Sequence, residues 1–438
     1  MRHDDRVKKI KELKKLPSIS NKRLNYKSSR SKDFPVYEIP IDSIIFNSKN
    51  GRIGSFRIGF EKQYSPEKLD AENPEHEKKI MGSIWESDPS RNNKTLKDIQ
   101  THGQTEPGVI TADGIIIDGN RRAVCLKKLA SQASGNNYFL AAVLPDEMAN
   151  AESEIRKLET ELQMGRDQIL DYDTTAKYIR AKEFKELDKL SDEVIAERFG
   201  EMTTSGKPDV KKIQTWHKIL TQMEKFQKNQ GYSGFYDNLA DQKMEGHFVD
   251  LTGYVEKQSP DKSPVARNWK PTKSYISDLE EAYEDFARAR IPVAEVRHLA
   301  NPADGKSSGF FNYKSLWESF YQDYEKIIDG YEEKSFPQIL KEDKGENTAR
   351  DLMAARDKDF QDAITDKFAE LLGDYKEKRD NIIKKDAPVK LLHKALDSLE
   401  QIDKKNAVYE NKNNAQLAFD RIRSIVDTLE KNMHKDIE

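Results

Sequence analysis

Residues Val109-Ile-Thr-Ala-Asp-Gly-Ile-Ile-Ile-Asp-Gly-Asn-Arg-Arg-Ala-Val-Cys-Leu-Lys-Lys-Leu129 decide how this chain is read. Two short apolar runs, 109–111 and 115–117, flank an Ala112-Asp113-Gly114 turn, which predicts a β-hairpin. The second run leads straight into Asp118-Gly119-Asn120-Arg121-Arg122, where a helix over 120–131 begins. Glycine at 119 permits a backbone conformation closed to other residues and a close approach to the main chain. The first turn of a helix offers N–H groups and a positive dipole end, and two arginines there add planar, permanently charged donors. That combination suits phosphate. The competing reading is a plain hairpin-to-helix junction, with Asp118 as helix cap and the arginines solvated.

The flanks carry further motifs in order. Tyr37–Ile45 reads as an opening strand, followed by Asn50-Gly51-Arg52. Leu96–Gly103 reads as a helix running into a turn with Glu106-Pro107. Thr160-Glu161-Leu162-Gln163 and a helical stretch over Asp167–Lys182 lie downstream. Taken together these resemble the ParB/sulfiredoxin superfamily over residues 34–225, about half the chain. In that family a Gly-x-Arg-Arg or Gly-x-His-Arg box sits between strand and helix. Asn50-Gly51-Arg52 stands for its Asn-Pro-Arg, Glu106 replaces the usual Gln of its Gly-x-x-Gln-Pro turn, and Thr160-Glu161 stands for Glu-Asn.

The resemblance implies an α+β N-terminal domain followed by predominantly α-helical domains. It implies that Arg52, Gly119, Asn120, Arg121 and Arg122 bind a nucleoside triphosphate, CTP or ATP, with Mg²⁺. Glu161 falls on the acidic position that holds the metal and would be the catalytic residue of any hydrolysis; Glu159 or Asp118 are further candidate oxygens beside it. The Thr-Glu order departs from the family pattern and puts hydrolysis in question. Sulfiredoxins carry a reactive cysteine where Asn120 stands, so sulfinic-acid reduction is not expected.

Composition bounds these readings. The chain has 438 residues, 34% charged and 36% hydrophobic, with a net charge of −3 and one cysteine. A lone cysteine excludes an internal disulfide and a cysteine-cluster metal site, and Cys125 reads as a small packing residue. No run approaches the roughly 18 apolar residues of a membrane span, and the basic N-terminus lacks the apolar core of a secretion signal. A cytoplasmic protein, associated with nucleoid or plasmid, is expected. Residues 1–33 hold twelve Lys and Arg against four acids, a net +8, and read as a flexible basic arm that touches DNA phosphates or merely solubilises. Val7, Ile10 and Leu13 there share one face of a short helix.

Beyond residue 150 the pattern turns helical. Thr174–Leu187 places Ala176, Ile179, Phe184 and Leu187 on an inner face. A short capped helix, 191–200, and a second, 209–223, suggest a helix-turn-helix in a domain spanning 151–228. Its recognition helix would present Lys207, Lys211, Lys212, Gln214, Thr215 and Lys218 to double-stranded DNA. Charge does not single this unit out, since residues 191–226 carry six basic and six acidic side chains. A helical domain of unassigned role, 229–345, contains a Gly/aromatic loop at 229–236 and turn signals at 260–264 and 301–309. Apolar spacings over 346–438 predict three helices that form a bundle or dimerise the chain. The function expected is a nucleotide-gated DNA-binding protein. Alternatives are a nuclease, NTPase or phosphotransferase of a mobile-element or phage-defence system, and a non-catalytic adaptor with a protein partner.

Overall fold

Six strands, neighbours in the order Ser20–Tyr26, Arg30–Pro40, Tyr138–Val143, Gly108–Ile110, Ile115–Asp118 and Ile45–Phe46, form one mixed sheet near the N-terminus, and helices follow it. The computed structural model describes residues 1–26, 30–131, 137–146, 152–164, 174–236, 238–239, 244–258, 269–301, 309–343, 347–402 and 412–433. The strands are β1 Ser20–Tyr26, β2 Arg30–Pro40, β3 Ile45–Phe46, β4 Gly108–Ile110, β5 Ile115–Asp118 and β6 Tyr138–Val143. β1/β2, β2/β6 and β4/β5 pair antiparallel, while β4/β6 and β3/β5 pair parallel. Alternation along the strands gives the sheet two apolar faces. Ile39, Ile110, Ile116, Phe139 and Val143 point to one, and Val36, Val109, Ile117 and Ala142 to the other.

Helices cover both faces. On the first lie α1 His3–Leu13, α2 Gly54–Gln63, α3 Pro74–Glu86, α4 Pro89–His102 and α5 Asn120–Ala130, which contribute Ile10, Phe60, Ile80, Ile99 and Val124 to one core. On the second lies α6 Glu152–Met164, through Ile155 and Leu158. Proline at the first position of α3 and α4, with Asn73 and Asp88 accepting from the first-turn amides, starts each helix sharply. The polar stretch 47–90 therefore carries two helices and the start of a third. Pro40 ends β2, and a 3₁₀ turn at Ile41–Ser43 separates it from β3, so the strand expected over Tyr37–Ile45 is broken.

Residues 1–26 correct the flexible-arm reading. α1 packs against the sheet with Ile10 fully buried, and β1 is the sheet's edge strand. Arg6 is the anchor, donating to the Asp113 carbonyl at 2.5 Å and pairing with Glu72 at 2.7 Å. Lys22 likewise pairs with Glu106 at 2.7 Å. The basic residues here are partly structural because Asp113, Glu72 and Glu106 lie where the chain folds back.

The helical continuation comprises α7 Thr174–Glu186, α8 Asp192–Phe199, α9 Val210–Asn229, α10 Glu245–Gln258, α11 Lys273–Arg288, α12 Val293–Val296, α13 Lys314–Asp329 and α14 Phe336–Asp343. One helix, α15 Ala349–Glu400, stands where two were expected, and α16 Lys412–Met433 is the last. Leu187, expected on the inner face of α7, is 63% exposed because the helix has ended. Tyr232, Phe235 and Tyr236 of the Gly/aromatic loop are buried, the first two against Phe336. The turn signals at 260–264 and most of 301–309, and the first part of the helix expected over Asp167–Lys182, lie outside the described residues.

Two compact units result, Met1–Tyr375 and Lys376–Glu438. Boundaries near 150, 228 and 345 do not separate packing units, since α7 packs on α2 and the start of α15 buries Met353 with Tyr232 and Phe235. Within the second unit, Leu391, Leu392, Leu399, Ile422, Ile425, Val426 and Leu429 are exposed and line an apolar groove of about 730 Å³.

Candidate phosphate-binding cleft

Close packing builds the junction between β5 and α5. Gly119 has φ 100°, and a Cβ there would lie 2.9 Å from the ring of Phe139 and 3.1 Å from Nη2 of Arg122. Only glycine fits. Beneath it, a Cβ on Gly108 would lie 2.7 Å from the Asp118 carbonyl, so β4 and β5 meet closely where the helix departs. Gly119 is itself the residue preceding the first helical position of α5, and no side chain caps this end. The amides of Asn120, Arg121 and Arg122 therefore lie on the first turn, where intrahelical acceptors are lacking. Asp118 does not cap the helix but pairs with Arg122 at 3.0 Å, one turn on.

A cleft of about 520 Å³ opens here, lined by Gly119, Arg121 and Arg122 together with Arg91, Thr95, Asp98, Gln104, Thr105 and Glu106. Three guanidinium groups thus share one cleft. Of its acids, Asp118 engages Arg122, Glu106 engages Lys22 at 2.7 Å and Asp98 engages His102 at 3.0 Å. Nε of Arg122 is buried and has no hydrogen-bond partner among the described residues. The wall at 103–106 is fixed by Gln104, whose amide donates to the Leu140 carbonyl at 2.8 Å and accepts from the Leu140 N–H at 2.8 Å. Sequence reasoning missed Arg91 and Gln104. Arg91 follows the Asp88 cap within the first turn of α4, and nothing in the linear pattern indicates that α4 packs beside α5.

The other proposed site residues divide. Asn120 is 3% exposed and does not line the cleft, so its backbone, not its amide, is what it offers a ligand. Arg52 lies in a 3₁₀ turn, Gly51–Ile53, and Glu161 lies on α6; their side chains fall outside the described residues. The two segments are tied together nonetheless. Glu159 is fully buried, accepting from the Gly51 N–H at 3.0 Å and pairing with Arg180 at 3.3 Å. Arg180, on α7, also donates to the Lys49 carbonyl at 3.1 Å and pairs with Glu183 at 2.9 Å. Glu159 is committed to this network and Asp118 to Arg122, which corrects both as ready metal oxygens. Among the described residues no group of three His, Cys, Asp or Glu is arranged to hold a metal ion.

Cys125 is fully buried in α5, and burial pushes its thiol up to about 11, so it is a packing residue without nucleophilic character at neutral pH.

In the helical continuation, Ser191 caps α8, Gly200 ends it in a left-handed conformation and Asp209 caps α9. The link between them is no tight turn. Residues 201–209 form a small hairpin, with a bridge between Met202 and Pro208 and the Thr203 N–H donating to the Lys207 carbonyl at 2.8 Å. Lys207, Lys211, Lys212, Gln214, Thr215 and Lys218 are all exposed, while Ile213, Trp216, Ile219 and Leu220 face inward. Lys212 is paired with Glu201 and Lys218 with Glu256; Thr215 donates to the Lys211 carbonyl at 2.9 Å within its own helix. Lys207 and Lys211 have no acidic partner among the described residues.

No protein-family model matches this chain, and no curated protein is found to be similar to it.

Proposed function

We propose that this chain is a ParB-like protein in which the cleft at Gly119–Arg122 takes the phosphates of a nucleoside triphosphate, CTP or ATP, and bound nucleotide gates how the helical region holds double-stranded DNA. The observation that carries this reading is the meeting of Arg91, Arg121 and Arg122 in one cleft at an uncapped helix start behind a left-handed glycine. Planar guanidinium groups and first-turn amides recognise phosphate oxygens in concert. Mg²⁺, if it accompanies the nucleotide, would be held by Glu161 and by the phosphates themselves.

Gating finds support in the buried contacts from Gly51 through Glu159 to Arg180, because α7 packs on α9, which bears the exposed lysines. The apolar groove of the second unit fits a second copy of the chain, since a hairpin of two helices with an unburied apolar stripe completes a bundle by pairing. The same groove favours, as a second reading, a non-catalytic adaptor that recruits a protein partner.

Calorimetric titration of CTP, ATP and GTP with Mg²⁺ into wild type and Arg121→Ala tests the site. Binding of one nucleotide, lost in the folded variant, supports it. Absence of binding by all three overturns it. Nucleotide turnover that depends on Glu161 would turn the reading into an enzyme.

A further inference from the structure

We propose that a second cleft, in the helical part of the first unit, binds an alkylammonium group through the carboxylates of α11. The ligand class is an amine cation on an apolar stem: a free polyamine, or a lysine side chain of another protein. The inference does not rest on nucleotide or DNA binding.

The cleft, of about 470 Å³, lies between α9, α11, α13 and α15. Glu284 is its centre. This residue is 2% exposed, and Asn229 donates to its Oε2 at 2.9 Å. Its Oε1 is buried and has no hydrogen-bond partner among the described residues. A buried carboxylate oxygen without a donor is costly and is the kind of atom a ligand N–H satisfies.

The cations that already line the cleft are committed elsewhere. Arg288 pairs with Glu333 and with Asp357, each at 2.8 Å. Arg356 pairs with Glu333 at 2.6 Å and donates to the Gln230 carbonyl at 2.9 Å. Lys225 is paired with Glu280. The acids outnumber these groups, for Glu281 and Asp285 line the cleft as well and accept only from tyrosine hydroxyls among the described contacts, Tyr321 at 2.9 Å and Tyr324 at 2.8 Å. A cation is therefore the complementary charge. An amine cation supplies both the charge and the directional N–H donor that the unpartnered Glu284 oxygen accepts from. Ile328, Tyr331 and Phe360 supply an apolar wall beside the carboxylates, suited to methylenes and to a cation over a ring.

The test titrates spermidine and, separately, Nα-acetyl-lysine amide into the full chain by calorimetry at a pH above about 8, where Glu284 is ionised and the amines keep their charge. Wild type is compared with Glu284→Gln and with Glu281→Lys, the latter at an exposed position, each first shown to be folded by circular dichroism. The expected result is saturable binding of at least one amine, weakened about tenfold or more in each variant, as loss of one charge-assisted hydrogen bond requires. Spermidine binding alone identifies a free polyamine as the source. Comparable or tighter binding of the lysine amide identifies a protein side chain. Failure of both amines to bind overturns the proposal, as does binding that survives both substitutions unchanged. Should Glu284→Gln not fold, Glu281→Lys gives the decision alone.

Discussion

Gly119 and Glu284 show at residue scale how local chemistry sets what each cleft can do. Gly119→Ala forces a side chain into φ 100° and against Phe139, so a loss of about 1–2 kcal/mol from conformation alone is expected, with the clash added. Thermal denaturation should report a lower midpoint, and calorimetry a loss of nucleotide binding if α5 is displaced. Glu284 yields a prediction of opposite sign. Burial, more than the nearby Asp285 and Glu280, pushes its carboxyl from an ordinary 4.5 up to about 8, against the opposing influence of Asn229 and Lys225. The folded chain thus holds this proton more tightly than the unfolded one. Stability from this group is fully present below the ordinary value and is lost as pH rises through the window to about 8, at up to about 1.4 kcal/mol per pH unit. Glu284→Gln, uncharged throughout, should flatten that slope in denaturant titrations run across the window. Asp285, pushed up to about 6, leaves a residual slope at the acid end. An unchanged slope in the variant would show that Glu284 does not titrate there. The Gly119 requirement was legible in the sequence as a glycine at a strand-to-helix junction. Glu284 was not, because its burial depends on α9, α13 and α15 closing over α11.

At the scale of elements, α9 separates what periodicity reveals from what partners decide. The spacing of Ile213, Trp216, Ile219 and Leu220 correctly gave an inward face, and the lysines fell on the other side. Which lysines remain available was settled by Glu201 on the hairpin and Glu256 on α10, neither adjacent in sequence. If this face meets DNA, Lys207→Glu with Lys211→Glu should weaken binding at all sequences and lower the salt slope by about 1.8, the value for two phosphate contacts. The same change at Lys212 and Lys218 should cost less, since each is already paired with a carboxylate. Equal effects, read by fluorescence anisotropy at several salt concentrations, would count against this division. α1 teaches the converse. Its charges suggested solvent, whereas Ile10 and Arg6 commit it to the core, and the twelve basic residues of the N-terminal segment gave no sign that two carboxylates and a backbone carbonyl far along the chain would meet them.

For the whole molecule, the second unit poses the plainest question. None of the described side chains of α16 is buried, although Leu417, Ile422, Ile425 and Leu429 repeat at helical spacing. Self-association, as proposed, would bury the apolar side chains that this unit leaves exposed. If the chain pairs through this groove, Leu392→Asp with Ile425→Asp should convert the dimer to a monomer in light scattering and weaken self-association at least about a hundredfold, given roughly 1.5–3 kcal/mol for each apolar side chain left in water. A wild-type chain that is monomeric at high concentration would shift the groove to a different protein partner. By itself the sequence determined the mixed α+β start, the hairpin and helix around the Arg pair, the helical remainder and the apolar stripes at the C-terminal end. Those follow from periodicity, glycine and caps, all carried by near neighbours in the chain. Tertiary structure alone decided that Arg91 joins Arg121 and Arg122, that Glu159 and Asp118 are spent on arginines, that Arg6, Ile10 and Lys22 anchor the basic N-terminus, and that a Glu284 oxygen lining a cleft has no hydrogen-bond partner among the described residues. Each of these depends on contacts between residues far apart in sequence, which local pattern does not encode.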